Sequence, residues 1–158
     1  MKLISALMIC LAMLVALPAM AQTKPTASDM EILRGKIKAD KKLVVAANMQ
    51  LSEAEAKNFW PVYEAYQKDL TQLNDRLGKV VMDYANAWNK GAVSDETAKK
   101  LTGEYLAIED SELKLKRDYL PKLEKALPSM KVARYLQIEN KIRAIIKYEL
   151  AANIPLVQ

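Results

Sequence analysis

The chain contains no histidine, and its one cysteine, Cys10, lies in an apolar stretch near the N-terminus. Histidine-dependent triads are thereby excluded, and thiol catalysis would require Cys10 to remain in the mature chain. Zinc, copper and nickel sites, which usually rest on imidazole or thiolate, are disfavoured by the same absence. Glycine is scarce: the four residues, Gly35, Gly78, Gly91 and Gly103, are isolated from one another, so no glycine-rich phosphate loop exists. No run alternates apolar and polar residues as a half-buried strand does. Lysine and arginine exceed the acids by only 24 to 19, without a compact basic run, so nucleic acid is not expected as a partner.

The acidic residues offer little chemistry either. Glu109 and Asp110 are adjacent, and neighbours on a helix point about 100° apart, which does not make an acid/base dyad. They read as a solvated face. No calcium-loop spacing is present. Met30, Met49, Met82 and Met130 are scattered, which leaves no thioether cluster for copper(I). The expectation is a protein that binds rather than catalyses, with no metal and no cofactor.

What is present begins with an export signal. Lys2 supplies a short positive region, and Leu3 to Leu17 form an apolar run of fifteen residues. Pro18 breaks it, and Ala19-Met20-Ala21 places small residues where a signal peptidase needs them. Cleavage is expected after Ala21, giving a periplasmic chain that starts at Gln22. The run is short of the roughly twenty residues of a spanning helix, so no stable membrane insertion is expected after cleavage. Cys10 leaves with this segment, and the mature chain then has no thiol. Residues 22–28, with Pro25, read as a flexible leader, and residues 29–158 as a single helical domain of ordinary size.

Periodicity within that domain is helical throughout. Met30, Leu33, Ile37, Val44, Ala47 and Leu51 follow 3,4 steps as one amphipathic helix. Ser52 and Glu55 form a capping-box pattern opening a second helix. Phe59, Tyr63, Tyr66, Leu70, Leu73, Leu77, Val80 and Tyr84 then make a 4,3 seam of the kind that faces a partner helix. The seam predicts that Leu73→Ala costs about 2–5 kcal/mol. That helix should end near Asn89-Lys90, before Gly91. Ser94 caps a third helix, with Leu101, Tyr105, Ile108, Leu115 and Tyr119 on one stripe and Leu106, Leu113, Leu120 and Leu127 repeating every seven residues beside it. Pro128 starts a fourth, marked by Val132, Tyr135, Leu136, Ile142, Ile145, Ile146 and Leu150. Pro61 and Pro121 fall inside helical patterns and should kink or interrupt them. The expected fold is all-α: an elongated antiparallel helical hairpin with flanking helices, about four in all.

Trp60, Val62, Val81 and Trp88 fall off the seam. In a thin hairpin such residues must meet a flanking helix, another subunit or a ligand, so they are the candidate contact residues for a client protein. Packing beneath the flanking helices is the simpler alternative.

One internal echo carries a resemblance. Leu51-Ser52-Glu53-Ala54-Glu55, followed by Phe59-Trp60, can be laid over Leu127-Pro128-Ser129-Met130-Lys131, followed by Tyr135-Leu136. In layout the chain resembles the Spy/CpxP family of periplasmic helical proteins, which carry two LTxxQ-type helix starts. Here the first start has Ser52 for Thr and Glu55 for Gln, and the second departs further. The resemblance implies a curved helical homodimer acting as an ATP-independent chaperone for unfolded or partly folded envelope proteins. A regulatory protein that binds a sensor in the envelope-stress response is the alternative. A metal-responsive relative is a third, against which the missing ligands argue.

Overall fold

A computed structural model describes residues 40–157, which lie in one compact unit, Ala39–Gln158. The expected signal 1–21, the leader 22–28, and Met30, Leu33 and Ile37 fall outside the described residues. The described residues form four helices and no strand: α1 over residues 40–49, α2 over Glu53–Asn89, α3 over Asp95–Ala126 and α4 over Ser129–Asn153.

The helix ends follow local chemistry. The Ser52 hydroxyl accepts from the Glu55 amide at 3.3 Å while the Glu55 carboxylate accepts from the Ser52 amide at 2.8 Å, completing the capping box. α2 stops where Gly91 adopts φ 124°, a left-handed geometry that favours glycine. Ser94 caps α3 by accepting from the Thr97 amide at 3.2 Å. Pro61 and Pro121 lie within continuous helices, so neither interrupts its element. Both are exposed, where water can take the carbonyl each leaves unpaired.

Cross-helix bonds set the topology. Asp69 meets Tyr119 and Arg76 meets Glu104, so α3 returns antiparallel to α2. Gln67 meets Glu139, Asn74 meets Arg143 and Tyr84 meets Pro155, so α4 runs alongside in the direction of α2. Lys42 reaches Glu64 and Lys41 reaches Gln67, which lays α1 antiparallel to α2.

The core gathers where α1 closes over the others: Val45 and Met49, then Phe59, Tyr63, Tyr66 and Leu70, then Tyr119, Leu123, Ala126 and Leu127, then Val132 and Tyr135. Tyr135 sits among rings, with its centroid 5.1 Å from Phe59, 6.0 Å from Tyr63 and 6.2 Å from Tyr66, all edge-on.

The α2 seam is therefore buried only in its first half. Leu70 is 1% exposed, whereas Leu73, Leu77, Val80 and Tyr84 are half-buried. This corrects the expectation for Leu73. Past Leu70 the interior is mixed, with the charged Glu112 and Arg143 buried alongside Ile108 and Leu101. Leu70→Ala is accordingly expected to cost about 2–5 kcal/mol in denaturant unfolding. Leu73→Ala should cost clearly less, and the reverse order would place the core in the wrong half of the hairpin.

Candidate functional site

The four off-seam residues do not form one patch. Trp60 and Val62 pack against the core cluster at the α1 end of α2. The Trp60 ring lies 5.1 Å from Phe59 and 5.3 Å from Tyr63, with the Lys42 ammonium 5.1 Å from its centroid. Val62 lines an open depression with Pro61 and three lysines, Lys57, Lys122 and Lys125. Val81 and Trp88 are half-buried towards the opposite end, where Trp88 lies 6.1 Å from Tyr84. Trp60 and Trp88 are 28 residues apart on one continuous helix, about 42 Å at 1.5 Å per residue. They cannot touch one short segment together.

α4 supplies what the sequence reading missed. Val132, Tyr135, Glu139 and Arg143 follow 3,4,4 steps, so one face of the helix passes from apolar to charged while remaining buried. Glu139 has no exposed surface; its carboxylate accepts from Lys41 Nζ at 2.5 Å and from Gln67 Nε2 at 3.1 Å. Arg143 makes a two-pronged pair with Glu112 and donates to Asn74 Oδ1 at 2.6 Å. Lys116 adds a second cation to Glu112 at 2.8 Å. Each buried charge has an opposite partner, as burial demands.

With the inward face occupied by these groups, Ile145 turns outward, while Ile138 packs against the core and Ile142 is half-buried. Ile145 is 63% and Tyr148 71% exposed, and Ile146 is 40% exposed. The apolar residues that mark α4 in the sequence therefore do not share one buried face. At 100° per residue, Ile145 and Tyr148 stand on the far side of the helix from Glu139 and Arg143. Exposed Lys141 precedes them at i−4 and i−7 on the same side. The result is an apolar ridge edged by a cation. The sequence did carry a signal, because Tyr135, Glu139 and Arg143 satisfy the same helical spacing as the isoleucines. Choosing between the two faces requires knowing what lies opposite.

The buried charges set the acid response. Burial pushes the Glu112 carboxyl up, but the hydrogen bonds from Lys116 and Arg143 outweigh it, and the net shift is below the ordinary 4.5. A carboxyl held low in the folded state contributes stability that is present above its unfolded value and lost as the pH falls through the folded one. Stability should therefore decline as the pH drops from about 4.5, and Glu112→Gln should flatten that decline. Urea midpoints at a series of acid pH values measure it; parallel curves for the two proteins would remove Glu112 as the cause. Burial lowers Lys41 from its ordinary value despite the Glu139 carboxylate beside it. Burial and the bond to Asp69 push Tyr119 up to about 12.

Among the described residues, no group of three or more acidic, histidine or cysteine side chains is arranged to hold a metal ion, and no helix is long and apolar enough to cross a membrane. Glu109 reaches Lys147 at 2.8 Å, and Asp110 is exposed beside it, so the adjacent acids do not form a dyad. Comparison with protein-family models, curated proteins and solved structures finds no match.

Proposed function

We propose that this chain is an exported, periplasmic binding protein that transiently holds unfolded or partly folded envelope proteins on an amphipathic helical surface, without ATP and without covalent chemistry. The observation that carries this reading is the inverted second half of α4, with Glu139 and Arg143 inside and Ile145 and Tyr148 outside. Burying charge while exposing large apolar side chains costs stability, and an exposed apolar patch of this kind marks a contact surface. Lys141 on the same side supplies steering towards acidic clients, as do Lys57, Lys122 and Lys125 around Val62. The apolar contact area is modest and open, which suits weak, reversible holding. The layout resemblance to the Spy/CpxP proteins and the signal-like N-terminus support the same reading.

The test is suppression of aggregation of a chemically unfolded client. Ile145→Ser with Tyr148→Ser should weaken holding several-fold while the melting temperature stays close to that of the parent, since exposed positions contribute little to stability. Trp60→Ala should lower the melting temperature, because its ring packs on Phe59 and Tyr63. Full holding by the α4 double variant would sink the proposed surface. Absence of any holding by the parent protein would sink the function.

A further inference from the structure

α1 is attached to the rest of the molecule by one narrow stripe. Of residues 40–49, only Lys41, Val45 and Met49 are not exposed, and they stand four residues apart along a single line of the helix. Val45 and Met49 have no exposed surface and belong to the cluster that contains the rings of Phe59, Tyr63, Tyr66 and Tyr135. Lys41 fastens the other end, donating to Gln67 on α2 at 2.9 Å and to Glu139 on α4 at 2.5 Å. Lys42 beside it reaches Glu64 at 2.6 Å, but that pair is solvated and holds the helix only weakly.

The closed position of α1 carries costs of its own. Gln50, the first residue past the helix, has φ 49°, a left-handed conformation that is unfavourable to a side chain with a Cβ. Its carbonyl accepts from Lys131 Nζ at 2.9 Å, and the capping box at Ser52 fixes the start of α2. With the carbonyl side held, rotation about the Gln50 N–Cα bond moves α1 relative to the other helices. Relaxing φ to the ordinary negative range swings α1 away from them. In the cluster that α1 closes, the hydroxyls of Tyr63 and Tyr66 are buried without a hydrogen-bond partner among the described residues. Such groups are unfavourable where they are and are satisfied once water reaches them. Burial also lowers Lys41 from its ordinary value despite the Glu139 carboxylate, so the ammonium too is better solvated away from the bundle.

We propose that α1 is a hinged lid, which swings about Gln50 while α2, α3 and α4 stay assembled and so uncovers a groove floored by Phe59, Tyr63, Tyr66 and Tyr135. Val45, Met49 and the Lys41–Glu139 pair hold it shut. The strained φ of Gln50 and the two unpaired hydroxyls favour its release. Segments that open without global unfolding are those with few buried contacts, and a helix held by one row of side chains is of that kind. The lid involves a different surface from the α4 ridge and does not depend on client holding.

Alkylation of single cysteines in a Cys10→Ser background reads the opening. Val45→Cys, on the lid, should react at least about tenfold faster than Leu123→Cys on α3, although both positions are buried. Its rate should rise little in dilute urea, because a local opening exposes little surface, whereas that of Leu123→Cys should climb steeply. Gln50 is exposed, so changes there act on the hinge rather than on packing. Gln50→Gly, which adopts positive φ freely, should slow the Val45→Cys reaction several-fold, and Gln50→Val, more strained there, should speed it several-fold. Lys41→Met should speed it about tenfold and leave Leu123→Cys unchanged, because Glu139 lacks its cation in a buried site only while the lid is shut. Equal rates and equal urea dependence for the two cysteines would mean that α1 leaves only when the whole protein unfolds, which overturns the lid. Gln50→Gly and Gln50→Val reactivities that match the parent overturn the hinge.

Discussion

Tyr135→Ala is expected to lower the free energy of unfolding by about 3–5 kcal/mol, the range for removing a large aromatic side chain from a packed core. Tyr135 has no exposed surface and touches rings from two turns of α2. Through Tyr66, which lies 5.4 Å from Tyr119, it also connects α4 to α3. Its removal therefore opens a cavity at the point where three helices meet, and the neighbouring rings are too rigid to collapse into it. The hydroxyl is a smaller part of the loss. It accepts from Gln67 Nε2 at 3.3 Å, so Tyr135→Phe should cost only about 0.5–1.5 kcal/mol. Tyr148→Ala provides the contrast on the same helix: it is 71% exposed, and its removal should change stability by less than about 0.5 kcal/mol. Urea unfolding with an unchanged slope measures all three. A Tyr135→Ala loss below about 1 kcal/mol would mean that α4 does not contribute to the core.

The all-α class and the helix boundaries were legible because they depend on local chemistry. Ser52 with Glu55, Ser94, Gly91 and Pro128 act within one turn of the chain and need no knowledge of the partner. Phe59, Tyr63, Tyr66 and Leu70 were legible as core for a related reason, since the seam repeats and its residues are large and apolar. The same rule failed further along. Leu73 and Leu77 continue the seam, but their burial depends on what α3 and α4 place in that half of the interior, where Glu112 and Arg143 are buried with Ile108. In α4 the apolar residues marked the helix but not its buried face, which runs from Val132 and Tyr135 to the charged Glu139 and Arg143. The candidate site shared this weakness. Trp60 and Val62 lie off the seam, but α1 and the C-terminal end of α3 meet them, so they join the edge of the core. Of the residues that do stand exposed, Ile145 was read only as a marker of the fourth helix and Tyr148 was passed over. A buried charge inverts the meaning of the apolar pattern around it, and the pattern does not announce which charges are buried.

The largest consequence of that inversion concerns Arg143. Arg143→Ala should cost about 3–5 kcal/mol, because removing one partner of a buried pair strands the other. Glu112 is 4% exposed and would keep only Lys116, whose side chain is itself 29% exposed and so offers a better-solvated, weaker counter-charge. Asn74 Oδ1 would also lose its donor. The charge pair as a whole is not required for stability: two buried ions lose much hydration, and their attraction repays it only with good geometry. Glu112→Leu combined with Arg143→Met should therefore recover most of the loss, and a stability equal to or above that of the parent is within reach. The comparison separates two roles for the buried charges. If the pair serves only as packing, the apolar double variant should keep both its melting temperature and its ability to hold an unfolded client. If it orients α4 so that Ile145 and Tyr148 face outward, the double variant should be stable yet hold clients poorly, since its fourth helix is then free to roll Ile145 into the interior. Exposure of a cysteine placed at Ile145, read as the rate of its alkylation in a Cys10→Ser background, distinguishes the outcomes directly. A fast-reacting thiol in the parent that becomes slow in the double variant assigns the orientation to Arg143 and Glu112, and unchanged reactivity removes them from that role.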